Sequence, residues 1–393
     1  MSGALGVKER LSMNARRLMI LVAVGLLAGA CESEAPFPSF EEMERMNEMH
    51  TMTRKPPADS TNRLADNPAA ASLGDRLFKD KALSGCGTVS CESCHGGAGK
   101  TVSTAVVNGC GGPTGRNPPT TLNADYNRWF MWDGRADRLW NQALLPMLSP
   151  VEMASSPAVI RARLNAAYAG EYQELFNKSP ELTGDDELLA NVGKLLQAYQ
   201  RTTNRTQAPF DADVKRFLAA VEAGTEELDP AYLGLKTYFR KGQCIACHKG
   251  VTMSDNLFHN IGVKDQSAGA PGQLAAAQPL LDWQFNAAGA FSDNRTGFDA
   301  SRLASLRSDL ANKSFEMDGA YKTPTLRNVA LTAPYMHTGE LATLADVVEF
   351  YDKGGEPVGS FVGTRTETIK PLELEDEEKA ALVKLLESMT GAE

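Results

Sequence analysis

Apolar side chains recur every three or four residues at Leu188, Val192, Leu195, Leu196 and Tyr199, and again at Leu382, Leu385, Leu386 and Met389. That spacing puts each set on one face of an α-helix. Tyr232, Leu235 and Phe239 form a third helical stripe. Alternation with period two is scarce, and glycine and proline interrupt 108–119 and 262–297, so the pattern predicts a mainly α fold. The longest unbroken apolar run, Leu18 to Ala30, follows Arg16 and Arg17. It is too short to span a bilayer but suits a signal peptide, here residues 1–30, which predicts export to the periplasmic side of a bacterial membrane. The run ends Ala28-Gly29-Ala30-Cys31, which reads either as an A-x-A cleavage site or as a lipobox that acylates Cys31 and anchors the chain by lipid alone.

Residues 31–67 are polar and dotted with proline, and read as a tether. Its methionines at 43, 46, 49 and 52 suit either a short amphipathic helix or a thioether copper site. The rest carries an internal repeat. Leu73-Gly74 followed by Leu77-Phe78 matches Leu233-Gly234 followed by Tyr238-Phe239. The repeat predicts two domains, 68–215 and 216–393, with Pro209, Gly224 and Pro230 breaking the helical pattern between them.

Each repeat leads into a pentad: Cys91-Glu92-Ser93-Cys94-His95 and Cys244-Ile245-Ala246-Cys247-His248. C-x-x-C-H fixes a c-type haem, with two thioethers to the porphyrin and the adjacent histidine on iron. Zinc pairs lie roughly 15 to 20 residues apart, and redox disulfide motifs rarely end in histidine. The fold expected is therefore two c-type cytochrome domains with two covalent haems near their interface. Seven cysteines sort into four on haem, Cys31, and the pair Cys86 and Cys110. In an oxidising compartment that pair forms a disulfide around the first pentad, the alternative being two buried thiols. The chain-entropy model gives such a loop about 3 kcal/mol.

A haem with one protein ligand can bind peroxide, whereas one with two suits electron transfer. Among five histidines none lies between His95 and His248, so the first domain supplies no second histidine to its own iron. Charge adds a partner class. Residues 1–30 hold Lys8, Arg10, Arg16 and Arg17 against Glu9, so their loss takes the formal charge from −9 to −12. An acidic body of this kind disfavours nucleic acid and steers a basic redox protein.

Between the pentads runs an aromatic stretch, Tyr126-Asn127-Arg128-Trp129-Phe130-Met131-Trp132, with Trp140 after it. Most of these rings read as pocket packing, and an indole can also carry a hole between haems. Glu152, in Ser149-Pro150-Val151-Glu152, reads equally as the far end of a capping box or as an acid-base group.

The body from residue 68 onward resembles bacterial di-haem cytochrome c peroxidases and their MauG-type relatives. The resemblance rests on Gly115-Arg116-Asn117-Pro118-Pro119-Thr120, Trp132-Asp133-Gly134-Arg135-Ala136, Pro150-Val151-Glu152-Met153, Thr323-Pro324-Thr325-Leu326-Arg327-Asn328 and Ala333-Pro334-Tyr335-Met336-His337. It implies that hydrogen peroxide is reduced at an open haem on His95, with Glu152 over it. Gln142 and Pro146 match further pocket positions. Trp132 matches the tryptophan between the haems, and the His248 haem would store or deliver electrons. Asn117, Thr332 and Pro334 match the holders of one calcium ion, partly through backbone carbonyls. His337 would bond near a haem propionate. A small soluble cytochrome c or cupredoxin, or an oxidisable protein substrate, would supply electrons, and a homodimer is among the assemblies implied.

Two departures mark this chain. Where the peroxidases carry a loop histidine that caps the first haem until activation, it has Asn108-Gly109-Cys110. Fourteen residues after His337, where they place a methionine on the second iron, it has Tyr351, as MauG-type proteins do. Phenolate favours ferric iron, whereas thioether favours ferrous. The competing reading makes Tyr351 a packing residue beside Val347, Val348 and Phe350, with Met317 or Met336 as ligand. Three functions follow: a peroxidase, a MauG-like oxidase of a protein substrate, or a non-enzymatic di-haem relay.

Overall fold

A glycine marks the closest helix crossing in each half of the molecule. In this computed structural model, which describes residues 38–53, 55–96, 107–224, 231–264 and 272–392, helix α1 spans Phe40–Met49 and α2 spans Pro68–Lys79. Asn67 caps α2 by accepting from the N–H groups of Ala69 and Ala70, and Pro68 opens its first turn. It packs against α3, Asp185–Gln200. The Cβ of any larger residue at Gly74 would lie 2.0 Å from the Leu195 carbonyl oxygen, so only glycine permits this approach. Downstream, α4 (Pro209–Ala223) precedes α5 (Ala231–Phe239), which crosses α7 (Asp376–Ser388). Gly234 repeats the arrangement more loosely, its added Cβ lying 2.7 Å from the Ala381 carbonyl oxygen. Helix α6, Leu344–Asp352, is capped by Thr343 and also packs on α7. The only strands among the described residues are two antiparallel pairs of two residues each, Asn108–Gly109 with Gly112–Pro113 and Phe258–His259 with Tyr321–Lys322.

The three predicted apolar stripes are buried apart from Tyr199 and Tyr232, which are half-buried. Leu188, Val192, Leu195 and Leu196 lie in the core with Leu73 and Leu77, and Leu382, Leu385, Leu386 and Met389 are buried in the second crossing with Leu235 and Phe239. Each such side chain contributes roughly 1.5–3 kcal/mol. Helix α3 is not one-sided, however. Its polar residues Asn191, Lys194 and Gln197 are buried too: Asn191 donates to the Tyr172 hydroxyl, Lys194 pairs with Asp293, and Gln197 meets Asp59 and Asn62 of the expected tether.

That tether is a correction. Helix α1 packs on α4, and its Met46 and Met49 are wholly buried. Glu42 pairs with Arg240 at 3.0 Å, and the Met49 carbonyl accepts from Arg327 at 2.6 Å. Farther on, Asn62 donates to the Lys194 carbonyl and to Gln197 Oε1, while Asp59 takes Arg138 at 2.8 Å and Gln197 at 2.6 Å. Burial raises the Asp59 carboxyl pKa, but Arg138 and donors from Thr61 and Gln197 outweigh it and hold the group below its ordinary range. Breaking a buried pair of this kind costs roughly 3–5 kcal/mol. The segment resembles a linker in composition because its polar groups answer buried polar groups of the body. Met46 and Met49 are buried as one helix face, and Met52, just beyond the helix, is buried as well. Residues 1–30 and Cys31, carrying the export and lipid expectations, lie outside the described residues. No described helix is long and apolar enough to cross a membrane.

Candidate haem sites and the cavity between them

The second pentad follows its repeat helix closely, whereas a 3-10 turn, Lys81–Leu83, and a loop separate Lys79 from the first. Cys91–His95 is one helical turn, entered from Ser90, whose N–H is accepted by Ser93 Oγ. Cys244–Ala246 is a 3-10 turn, with the His248 N–H returning to the Cys244 carbonyl at 2.9 Å. One continuous cavity joins them, lined by His95, Trp132, Gln142, Cys244, Cys247, His248 and Tyr351, among others.

The donor chemistry suits haem. Burial pushes the thiols of Cys91 and Cys244 up to about 12, opposite to the depressed values of a reactive redox pair. It also pushes the His95 imidazole down to about 4, opposed by a hydrogen bond with the Pro119 carbonyl, and so keeps the ring neutral as a ligand must be. One ring nitrogen of His95 is buried without a protein partner. His248 is likewise lowered by burial, and its Nδ1 lies 2.9 Å from the Met253 carbonyl oxygen, which leaves Nε2 free for a metal. Both remaining candidate histidines have close neighbours. His259 bonds Asp255 at 2.9 Å, and His337 stacks on Tyr321 with ring centroids 3.8 Å apart. Cys247, Asp255 and His259 gather within 4.8 Å, but Cys247 belongs to the second pentad.

Tyr351 and Met336 both line the cavity, whereas Met317 packs with Leu306 and Ala277 in a separate cluster. Met317 is therefore removed as a candidate ligand, because helix packing has already taken its side chain. Burial pushes the Tyr351 hydroxyl well above its ordinary range, so a phenolate there needs a cation facing it.

Asn117 is a hub. Its N–H donates to the His337 carbonyl at 3.0 Å, its own carbonyl accepts Trp132 Nε1 at 2.7 Å, and Nδ2 donates to the carbonyls of Pro334 and Met336. Its Oδ1 is buried without a partner. Turning this amide over brings Oδ1 to those two carbonyls, an all-oxygen grouping that suits a hard cation, with Thr332 on the same cavity wall.

Glu152 stands apart from the cavity lining. Of its two readings, the capping box has no helix to cap. Residues 150–153 are a turn, and the next helix, Pro157–Ala167, is capped by Ser156. Ser149 Oγ does accept the Glu152 N–H, at 3.3 Å, but within that turn. The Glu152 carboxylate instead lies near enough to the first pentad to add to the burial that raises the Cys94 thiol. Cys86 and Cys110 are disulfide-bonded, with Cα atoms 5.7 Å apart.

Sequence reasoning missed three features of the site. Gln142 Nε2 lies 3.4 Å from the sulfur of Met131, which shares the cavity. Lys322 lines the cavity with its ammonium lowered to about 8 by burial, against the pull of Asp255. The third is the set of glycines flanking both disulfide cysteines, Gly85-Cys86-Gly87 and Gly109-Cys110-Gly111. That doubled pattern was a readable sign of close backbone approach.

Comparison with known proteins places the chain in a family of haem enzymes. Residues 68–217 match the di-haem cytochrome c peroxidase family. The chain is 31% identical over 335 residues to the methylamine utilization protein MauG of Methylorubrum extorquens, covering 82% of this chain and 78% of that protein. It is 30% identical over 394 residues to the cytochrome-c peroxidase IdrP1 of Denitromonas iodatirespirans, covering 96% and 93%. Among solved structures, a MauG-like protein associated with microbial copper homeostasis superposes with a TM-score of 0.64 at 25% identity, over 87% of this chain and 95% of the other.

Proposed function

Because this chain belongs to the di-haem cytochrome c peroxidase family, and so is an oxidoreductase with two c-type haems, we propose that it consumes hydrogen peroxide at the His95 site and exchanges electrons through the His248 site. The observation that carries this reading is the inequality of the two sites. The Tyr351 hydroxyl lies close enough to Cys244 and Cys247 for their thiols to add to the burial that raises it, while the carboxylate of Glu152, which has no helix to cap, acts in the same way on Cys94 of the first pentad.

When bound, haem would supply the redox chemistry for two-electron reduction of peroxide. The residues of the chain do the rest. Cys91, Cys94 and His95 hold one group, and Cys244, Cys247, His248 and Tyr351 hold the other. Glu152 takes the proton from the near peroxide oxygen and returns it to the far one, help that is typically worth about a hundred- to ten-thousand-fold. Gln142 orients the bound peroxide. Trp132, fixed by its hydrogen bond to the Asn117 carbonyl, carries oxidising equivalents across the cavity. Asn117, Thr332 and Pro334 would hold calcium, next to the Asn117 carbonyl that accepts Trp132. The two domains, 68–215 and 216–393, would each be built on one glycine crossing, with their boundary falling inside the continuous helix α4, Pro209–Ala223.

Electrons come from a small soluble cytochrome c or cupredoxin. The second reading, a MauG-like oxidase of a protein substrate, is favoured by one feature, Tyr351 on the cavity wall. Stopped-flow oxidation of a reduced small cytochrome c tests the function. The loaded protein should accelerate it only when peroxide is present, and a rate indifferent to peroxide would reduce the protein to a relay.

A further inference from the structure

The backbone on both sides of the Cys86–Cys110 disulfide presses on the turn that carries Glu152. From one side the Gly85 N–H donates to the Met153 carbonyl at 2.8 Å. From the other, the Cys110 N–H donates to the Glu152 carbonyl at 2.7 Å, the Gly111 N–H to the Val151 carbonyl at 3.1 Å, and Cys110 Sγ lies 3.3 Å from the Met153 carbonyl oxygen. Three consecutive carbonyls of the turn are thus taken by two segments that a single covalent bond ties together.

The contact is backbone on backbone. An added Cβ would lie 2.1 Å from the Ala154 carbonyl oxygen at Gly85, 2.1 Å from that of Val151 at Gly109, and 2.4 Å from that of Pro150 at Gly111. None of these glycines has a positive φ, so glycine is required there for room and not for conformation. The turn itself is outside any helix, and its inner support is the Glu152 and Ala154 N–H groups on Ser149, the Met153 N–H on the Pro146 carbonyl and the Ser155 N–H on the Met147 carbonyl. The cross-link also encloses residues 86–110, and with them the first pentad.

We propose that the Cys86–Cys110 disulfide and its flanking glycines are a positioning device for Glu152, holding the carboxylate at the first haem site in its working place. The proposal rests on the acid-base reading of Glu152. The disulfide is not a store of redox equivalents here. It restricts the turn, so that the carboxylate does not have to be ordered anew in each turnover.

The test uses the full, haem-loaded chain. Peroxide turnover is measured for C86A/C110A, for Glu152→Gln and for the triple variant, with covalent haem content as a control. The device predicts that kcat falls about tenfold in C86A/C110A with KM for the reducing protein unchanged, and that the acidic limb of the pH profile shifts. In the Glu152→Gln background, loss of the disulfide should change kcat less than twofold, because nothing remains to be positioned. A tenfold loss in both backgrounds, or turnover within twofold of the parent in C86A/C110A, overturns the proposal. Where C86A/C110A fails to fold, Gly111→Ala keeps both cysteines yet displaces the turn, and is expected to lose kcat similarly. Its retention of full kcat overturns the proposal as well. If Glu152→Gln alone keeps full turnover, the acid-base reading falls separately. Amide exchange at Gly85, Cys110 and Gly111 then decides the clamp, rising at least tenfold without the disulfide or, if unchanged, overturning it.

Discussion

The α2–α3 pair and the α5–α7 pair are the same device built twice, a glycine-centred helix crossing that delivers a C-x-x-C-H pentad to a shared cavity. What differs is the chain around each pentad. After His248 the chain turns back at once and sets the Met253 carbonyl on Nδ1, and α6, packed on α7, brings Tyr351 to the cavity. Around His95 there is instead a disulfide-bound loop pair pressed on a turn that bears a carboxylate. The repeat builds two seats, and short irregular segments divide the labour between them.

The sharpest way to break this comparison is to remove the carboxylate from one side only. Glu152→Gln should lower peroxide turnover about a hundred- to ten-thousand-fold while both pentads keep their haem, as steady-state assay and haem quantification will report. Next comes the crossing itself. Gly74→Ala drives a Cβ to 2.0 Å from a carbonyl oxygen, and Gly234→Ala only to 2.7 Å. Overpacking typically costs about 1–3 kcal/mol, so denaturant titration should find Gly74→Ala at or beyond the upper end and Gly234→Ala near the lower. Equal losses would show that the two crossings are not tuned differently. The mildest change is Tyr351→Phe, which keeps the ring. It should alter the spectrum of the His248 site and leave that of the His95 site as it was, whereas Met336→Leu should leave the His248 site unchanged.

The helical stripes and both pentads could be read in the sequence because each is a local pattern with a fixed period or spacing. The segment 40–67 could not. Asp59, Asn62 and Asp66 look like solvated linker residues, and their partners Arg138, Lys194, Gln197 and Arg201 lie more than seventy residues away. Polarity alone does not distinguish a group facing water from one answering a buried charge. Glu152 was ambiguous for a related reason. Ser-Pro-x-Glu is a capping pattern only if a helix follows, and the backbone here is claimed by the Gly109–Gly111 strand turn from elsewhere in the chain. Tyr351 fell on the expected helix face, but only the cavity puts it and Met336 within one space and sets Met317 aside.

The account stands on the inequality of the two iron sites, and ferric electron paramagnetic resonance of the loaded protein with and without cyanide tests that directly. The expected result is one high-spin signal that cyanide abolishes, beside a second signal that cyanide leaves untouched. Two low-spin signals, both indifferent to cyanide and to peroxide, would contradict it.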